Sequence, residues 1–368
     1  MNKIVFWQNI ISPHQVDLLA ALAEKGNHVL LVVEEEVDSF RKTSGWSTHV
    51  PDNIDLVISP DNSTIDILIS DDSAIHVFTG FFAYRTVSRA FRIACKKKAK
   101  IYIYSEYSDW NKWKGKIKLI YKKILMLVYK KYIKGVLATG EKSCEYFKIL
   151  GLESSKIYEF GYFISPPAKF LELKPRNEGR QIIFVGRLVS CKGIENAIDA
   201  FKVAYDIDNR LFFKIIGEGP LREKIEHKVK SLKLEGQIKF LGNISHDLVV
   251  SEIRRSSVLV LPNVSKEGWG VVVNESLLSG TPVVVTKYTG SSCLINSPCL
   301  GEVIEPGNID KITDSMLNVQ KYSRKRVADL AEKIISPNIV SDYLEEIFFS
   351  PDTAGTLPPW RKKIEYFD

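Results

Sequence analysis

The sequence predicts an α/β protein with two doubly wound, parallel-sheet domains that face each other across a cleft. Short runs that are apolar throughout recur along the chain, and strands covered by helices on both faces of a parallel sheet have this composition. The runs stop at a stretch with three prolines, residues 164–181, and then resume, which is typical of an interdomain linker. The length of 368 residues also suits two domains of roughly 150–200 residues each.

The first predicted domain covers residues 1–165 and contains seven apolar runs. In chain order they are KIVFW (3–7), HVLLVV (28–33), IDLVIS (54–59), IHVFTG (75–80), KIYIYS (100–105), GVLATG (135–140) and KIYEFGYF (156–163). Ligands of open parallel sheets bind at the carboxyl ends of the strands. We therefore expect functional residues directly after these runs.

The second predicted domain covers residues 166–345 and contains six apolar runs. They are QIIFVG (181–186), LFFKIIG (211–217), QIKFLG (237–242), VLVLPN (258–263), PVVVT (282–286) and GEVIEPG (301–307). Residues 346–368 form a tail with a turn-rich start and a short amphipathic end. Such a tail either packs back on the body of the protein or frays.

The composition is that of a folded protein, with 45% hydrophobic and 26% charged residues. Five cysteines without a CxxC pair favour a reducing compartment over a disulfide framework or a zinc site. The first residues lack the apolar core and cleavage site of a signal peptide, and no apolar run reaches the length of a spanning helix. A cytoplasmic protein is therefore expected.

A basic loop follows the first strand of the second domain. In GRLVSCKG the chain passes from a strand that ends at Gly186 to an amphipathic helix after Gly193, with Arg187 and Lys192 between them. Glycine permits close approach of the backbone, a helix N-terminus presents unpaired N–H groups, and two cations add charge-assisted hydrogen bonds. The loop is suited to phosphate, and simple solvation of its basic residues is the alternative.

A glycine loop follows the next strand, where Gly217 and Gly219 flank Glu218 in GEGPLR and Pro220 stands at an expected first helical position. The spacing matches neither the full nicotinamide fingerprint nor a P-loop. Two interpretations stay open, a nucleotide-binding glycine loop and a tight turn at a helix start.

Two carboxylates, Glu267 and Glu275, stand eight positions apart around Gly-Trp-Gly in SKEGWGVVVNES. If a helix begins near Trp269, is capped at Gly280 and its geometry extends back to Glu267, the carboxylates lie about 80° apart in azimuth. Both can then point into one elongated pocket, where each can accept hydrogen bonds from vicinal sugar hydroxyls. Solvated helix acids are the alternative.

Four segments, in this order, resemble the donor-binding half of the family 4 glycosyltransferases, the glycosyl transferases group 1, which have the two-domain GT-B fold. They are GRLVSCKG, GEGPLR, the two glutamates around Gly-Trp-Gly, and SGTPVVVT. The resemblance covers about residues 181–310. It implies a retaining hexosyltransferase that moves a sugar from a nucleotide-sugar, UDP-linked by family habit, to an acceptor without a covalent intermediate.

The same resemblance implies a set of donor-binding residues, namely Arg187, Lys192, Gly217, Gly219, Leu221, Gly268, Trp269, Gly270 and Glu275. Arg187 and Lys192 would bind the diphosphate, Glu275 the ribose, and Glu267, as a catalytic residue, the hydroxyls of the transferred sugar. Residues 217–221 would border the base, and backbone N–H groups of 268–270 would hold phosphate and sugar. Cations and the helix dipole would stabilise the leaving diphosphate, so neither a metal ion nor another cofactor is expected.

The first domain matches the family less well, because its first loop reads QNIISPH where many relatives have a glycine-rich loop. Ser12 is suited to an N-cap before Pro13, and His14 follows. Ser105 and Glu106 come after the fifth strand. We name Ser12 and Ser105 as acceptor-side candidates and His14 and Glu106 as catalytic candidates. Exposed loop residues are the alternative for each.

A lysine-rich segment, residues 111–135, has nine lysines between Lys112 and Lys134 and no acid, although the net charge of the chain is only +7. Apolar residues lie roughly on one helical face, at positions 113, 117, 120, 121, 124, 125, 128 and 132, and Lys114, Lys118 and Lys122 mark another. Such a helix with Trp and Tyr is typical of contact with an anionic membrane surface. Alternatively, its apolar face covers the sheet and the lysines are solvated.

The expected function is transfer of sugar to a glycan or polyprenyl-diphosphate-linked acceptor in bacterial envelope polysaccharide biosynthesis. The expected location is peripheral, on the inner face of the cell membrane. Nucleic acid is not an expected partner, because the sequence contains no recognised nucleic-acid module. Two other functions stay open. A non-hydrolysing nucleotide-sugar 2-epimerase would keep nucleotide and sugar joined. A non-catalytic polyanion- or membrane-binding protein would not turn over any nucleotide-sugar.

Overall fold

The computed structural model describes residues 1–37, 49–79, 82–110, 113–166, 180–265, 267–318, 323–350 and 355–362. The chain divides into two compact units. The first comprises Met1–Ile164 with Pro337–Asp368, and the second comprises Ser165–Ser336. Residues 337–345, which the sequence analysis assigns to the second domain, thus group with the first unit. Most of the predicted linker, residues 167–179, lies outside the described residues.

The first unit is built on a seven-stranded sheet. Its strands are β1 (Lys3–Gln8), β2 (His28–Val33), β3 (Asp55–Ile58), β4 (Ile75–Thr79), β5 (Lys100–Ser105), β6 (Ile133–Thr139) and β7 (Ile157–Phe160). They are parallel and lie in the order β3-β2-β1-β4-β5-β6-β7. The order reverses between β1 and β4, and the crevice at such a reversal is where ligands of open sheets bind.

In the described part of this unit, five α-helices lie between the strands: α1 (Pro13–Glu24), α2 (Asn62–Ile69), α3 (Arg85–Lys97), α4 (Trp113–Tyr129) and α5 (Glu141–Ile149). Helix α3 illustrates why they pack on the sheet, because it buries Val87, Ala90, Phe91 and Ala94 on one stripe. The ring of Phe91 meets that of Phe78 edge to face, with centroids 5.5 Å apart, which anchors the helix over β4.

Helix α4, in the lysine-rich segment, turns an apolar stripe away from the sheet. Only Gly115 and Met126 are buried on this helix. The exposed apolar side chains are Trp113, Ile117, Ile120, Tyr121, Ile124, Leu127 and Val128. The interpretation in which the predicted apolar face covers the sheet is therefore wrong for six of its eight residues, those at positions 113, 117, 120, 121, 124 and 128. The other two, Leu125 and Tyr132, pack against the core. In the described parts of the chain, no helix combines the length and hydrophobicity needed to cross a membrane.

The second unit is built on a six-stranded parallel sheet. Its strands are β8 (Arg180–Val185), β9 (Leu211–Ile216), β10 (Ile238–Gly242), β11 (Val258–Leu261), β12 (Val283–Thr286) and β13 (Gly301–Ile304). They lie in the order β10-β9-β8-β11-β12-β13. The helices are α6 (Ile194–Ile207), α7 (Arg222–Ser231), α8 (His246–Arg255), α9 (Val272–Leu278), α10 (Ile309–Leu317) and α11 (Arg324–Ile335). The predicted fold class, two parallel α/β domains, is confirmed.

The chain returns to the first unit through α12 (Pro337–Phe349), which packs against α1. The hydroxyl of Tyr102 donates to the carbonyl of Ile347 at 3.1 Å. Further along, the buried indole of Trp360 donates to Glu159 at 2.7 Å, and Arg361 pairs with the same carboxylate at 2.9 Å. These contacts place the described part of the tail in the first unit.

Candidate functional site

The loops that follow β8 and β11 meet at the point where the order of the second sheet reverses. The N–H of Val264 donates to the carbonyl of Cys191 at 2.9 Å. Gly193 has φ +65°, and a Cβ there would overlap the carbonyl oxygen of Pro262. Only glycine fits both its conformation and this close approach. The loop that carries Arg187 and Lys192 is therefore fixed against the end of β11.

The loop after β9 packs against the same segment. A Cβ on Gly217 would overlap the carbonyl oxygen of Gly186, and one on Gly219 would overlap that of Leu188. The N–H of Leu221 donates to Leu188 at 3.1 Å. Both glycines thus have a packing role between two loops, which the sequence spacing alone does not reveal.

Glu267 is held by two side chains from neighbouring loops. Lys192 forms an ion pair with Oε1. The Nδ2 of Asn263 donates to Oε2 at 2.7 Å and to the Oγ1 of Thr289 at 2.9 Å. Asn263 is fully buried, so its position is set by packing. Asn263 and Thr289 were not predicted from the sequence, where the only available signal was a polar residue directly after a buried strand.

The prediction that a helix begins near Trp269 is wrong. Helix α9 starts at Val272, because Gly270 takes φ +81°, a left-handed conformation that a right-handed helix does not contain. The indole of Trp269 is buried and donates to Asn274 at 2.8 Å. Glu267 consequently lies in a loop, and the helical azimuth between the two glutamates does not apply.

The segment 268–270 is fixed through its carbonyl groups. The N–H of Gly290 donates to Gly268 at 3.0 Å, and that of Ser291 donates to Trp269 at 2.8 Å. Among the residues that the structure describes, none accepts a hydrogen bond from the N–H of Gly268 or of Gly270. These two amides can therefore donate to an anionic ligand.

Glu275 is paired with a histidine that the sequence analysis did not name. Its side chain is 7% exposed, and Oε1 lies 3.0 Å from the Nε2 of His246. The hydrogen bond with Glu275 raises the pKa of His246 above its ordinary value, against the opposing effect of burial. His246 follows β10 by a few residues, so its place after a strand was the one signal that could have identified it.

We expect the imidazole of His246 to titrate above its ordinary pKa of 6.5, and to return toward that value in Glu275→Gln. A pKa raised in the folded state stabilises the fold below the ordinary pKa, and this contribution disappears as the pH rises through the shifted value. The pH titration of the His246 ring protons by NMR measures the pKa of this imidazole in the wild type and in Glu275→Gln. His227, an exposed histidine of α7, is the internal control and should not respond to the substitution.

Arg187 is exposed, and no carboxylate in the described parts of the chain pairs with it. Together with Lys192 it makes this edge of the sheet cationic, which suits a phosphate ligand. Within the same described residues, no group of three or more His, Cys, Asp or Glu side chains is arranged to hold a metal ion.

The first unit has a cavity of about 490 Å³ at its own strand-order reversal, between the ends of β1 and β4. All four candidates of this domain line it: Ser12, His14, Ser105 and Glu106. Ser12 occupies the N-cap position of α1, but its hydroxyl makes no capping hydrogen bond. Lys122 of α4 also lines the cavity. It donates to Ser108 at 2.7 Å, and burial lowers its pKa.

Comparison with known proteins identifies relatives of both the sequence and the fold. Residues 168–335 match the family model described as Glycosyl transferases group 1. The 2-deoxystreptamine N-acetyl-D-glucosaminyltransferase of Niallia circulans is 25% identical over 247 residues, 65% of this chain and 62% of that protein. The poly(glycerol-phosphate) alpha-glucosyltransferase of Bacillus subtilis is 26% identical over 249 residues, 66% of this chain and 36% of that protein. The chain thus spans less than two thirds of the length of either relative.

A solved structure, that of Anabaena HepE in complex with UDP and glucose, superposes with a TM-score of 0.64 at 14% identity. The superposition covers 94% of this chain and 99% of that one. At this identity the likeness establishes the fold alone, which is the two-domain GT-B type.

Proposed function

Because residues 168–335 match the model of the glycosyl transferases group 1 family, we propose that this protein is a glycosyltransferase of that family. It moves a hexose from a nucleotide-sugar to an acceptor in polysaccharide or glycoconjugate biosynthesis. The observation that carries the proposal is the Lys192–Glu267 pair, held by Asn263 at the strand-order reversal of the family-matched unit. A cation for a phosphate and a carboxylate for sugar hydroxyls are thereby side by side.

The donor is proposed to bind along the carboxyl ends of the second sheet. Arg187, Lys192 and the N–H groups of Gly268 and Gly270 hold the diphosphate, since cations and free amides both favour phosphate oxygens. Glu275 accepts hydrogen bonds from the ribose. The base borders residues 217–221. A uridine donor is supported by the complex of HepE with UDP and glucose.

The proposed reaction retains the configuration of the sugar and needs no metal ion. Arg187 and Lys192 stabilise the negative charge that develops on the leaving diphosphate. Glu267 accepts hydrogen bonds from hydroxyls of the transferred sugar. The departing phosphate helps to deprotonate the acceptor hydroxyl on the same face of the sugar, so no covalent intermediate forms.

The acceptor is proposed to be a glycan, or a glycan carried on a polyprenyl diphosphate, at the inner face of the cell membrane. Ser12, Ser105, His14 and Glu106 share one cavity, which gives an acceptor polar contacts in the first unit. Lys122 adds a cation for a phosphate-bearing acceptor. The exposed apolar stripe of α4 supports an anionic membrane surface as the place where such an acceptor is met.

Replacing Glu275 with alanine is expected to weaken donor binding by about 10- to 100-fold, because hydrogen bonds to a charged group contribute about 1.5–3 kcal/mol. Titration calorimetry with UDP and with UDP-glucose measures the change. Glu305→Ala removes an exposed carboxylate that pairs with Lys287 at the surface and is the matched control. An unchanged dissociation constant in Glu275→Ala would remove this residue from the donor site.

The function is tested by nucleotide release from a panel of UDP- and GDP-sugars, with EDTA present and detergent-solubilised membrane lipids as acceptor. We expect release from one donor, which identifies the sugar and supports metal independence. A product that keeps nucleotide and sugar joined would favour the 2-epimerase. Silence across the panel, with no thermal stabilisation by any donor, would favour a binding protein instead.

A further inference from the structure

The surface of the first unit carries a basic groove that adjoins the proposed acceptor cavity, with which it shares Ala83 and Tyr84. A cavity of about 650 Å³ is lined by Arg85, Arg89, Arg92 and Lys96 of α3; these four residues are the arginine groove. They recur at intervals of four, three and four, so they point within about 60° of one another on the helix. All four are exposed.

Within the described residues, no acidic side chain neutralises the charge of the arginine groove. Among the residues that the structure describes, no carboxylate lines the cavity and no ion pair involves any of the four side chains. Glu34 contacts the first turn of α3, but it does so through the backbone N–H of Thr86 at 2.7 Å. The groove is therefore suited to an anionic ligand.

The arginine groove is continuous with helix α4. The ring of Tyr129 in α4 lies 5.5 Å from that of Phe91 in α3 and 5.1 Å from that of Phe82, with distances between centroids. The guanidinium of Arg92 lies over Phe82 at 5.3 Å. The groove and the lysine-rich helix thus belong to one surface.

Helix α4 contributes apolar area to that surface, and lysines border it on both sides. On a helical projection, the seven exposed apolar residues occupy an arc of about 120°. Lys114 and Lys118 border one edge of the arc, and Lys116 and Lys123 border the other. An apolar stripe between two rows of cations is the pattern of a helix that lies in the plane of an anionic bilayer surface.

We propose that α3 and α4 form a membrane-docking face in which the arginine groove binds the phosphate groups of anionic lipid headgroups. The stripe of α4 enters the boundary between headgroups and acyl chains beside it. Arginine suits this role because its planar fork can donate two parallel hydrogen bonds to one phosphate. The proposal deepens the membrane partner named above and rests on it, but it does not depend on sugar transfer.

The test uses the full chain without donor, in sedimentation with vesicles of phosphatidylcholine alone or with phosphatidylglycerol. We expect binding only to the anionic vesicles, and weaker binding as salt increases. Arg85→Gln/Arg89→Gln should lower the partition coefficient by about 30-fold, from about 1 kcal/mol for each basic residue near an anionic surface. This pair leaves the contact of Arg92 with Phe82 intact.

A charge-matched control comes from the second unit. Lys325 and Arg326 are exposed on α11, so Lys325→Gln/Arg326→Gln removes the same charge and should bind vesicles as the wild type does. Arg85→Lys/Arg89→Lys keeps the charge but loses the planar guanidinium groups, and we expect the partition coefficient to fall several-fold. If Arg85→Gln/Arg89→Gln binds vesicles as the wild type does, the proposal that the arginine groove binds headgroups is wrong. Wild-type binding by the Lys pair overturns the recognition of phosphate by arginine.

Two further arms identify the source of the phosphate and separate docking from catalysis. Inorganic phosphate, compared with chloride at equal ionic strength, should not displace the vesicles; displacement would assign the groove to a soluble ligand and overturn the proposal. The Gln pair should release nucleotide from the donor at the wild-type rate with detergent-solubilised acceptor. Lost vesicle binding with normal release supports the docking face, whereas vesicle binding with no release in any variant refutes only the transferase.

Discussion

Replacing Glu267 with alanine is expected to lower the rate of sugar transfer by about 10²-fold or more and to leave donor affinity nearly unchanged. The carboxylate binds hydroxyls of the sugar that is moving, and only contacts that strengthen in the transition state raise the rate. In the free protein Glu267 neutralises Lys192. The substitution therefore leaves Lys192 free for the diphosphate, which offsets any lost contact in the ground state.

Transfer rates at saturating donor and dissociation constants from calorimetry separate the two effects. Glu267→Gln is a stricter test of the role of this carboxylate. It keeps the size of the side chain and the hydroxyl contacts but removes the charge that Lys192 pairs with. Glu305→Ala again serves as the surface control. Equal losses of rate and affinity would indicate a binding role only. Near-wild-type activity in both Glu267→Ala and Glu275→Ala would show that the donor-site assignment is wrong.

The strands of this protein could be predicted from the sequence, and the contacts of its candidate site could not. All thirteen described strands coincide with apolar runs, because most of them are buried on both faces. The edge strand β3 is apolar although Leu56 and Ile58 are exposed. The partners of the two glutamates are long-range: Thr289 is 26 residues from Asn263, and His246 is 29 residues from Glu275. No local pattern encodes such pairs, because the order of the strands decides which loops meet.

Prediction from local sequence pattern also failed where a helix had two apolar arcs or where a glycine had a left-handed conformation. Helix α4 has one apolar arc toward the core, with Leu119 and Met126, and a second one toward the outside. Periodicity alone cannot choose which arc faces the sheet. Similarly, the left-handed φ of Gly270 delays the start of α9, and glycine in sequence permits this conformation without requiring it.

Gly193→Ala is expected to destabilise the second unit by about 3 kcal/mol, because two penalties act at once. Alanine must adopt the left-handed conformation at φ +65°, and its Cβ must overlap the carbonyl oxygen of Pro262. Gly26→Ala is the matched control. Gly26 has φ +85° but no atom within 4 Å of the added Cβ, so it should lose only about 1 kcal/mol through backbone strain.

Urea unfolding followed by circular dichroism measures the two losses, and hydrogen exchange of peptides covering β8 and β11 locates the loss in Gly193→Ala. The difference between the two variants isolates the contact between Gly193 and Pro262 from the cost of a left-handed alanine. Because Lys192 directly precedes Gly193, the same substitution should move the cation away from Glu267 and lower transfer by at least tenfold, about 1.4 kcal/mol. If Gly193→Ala cost no more than Gly26→Ala, the close approach of the two loops would be wrong, and with it the fixed position that the proposed diphosphate site requires.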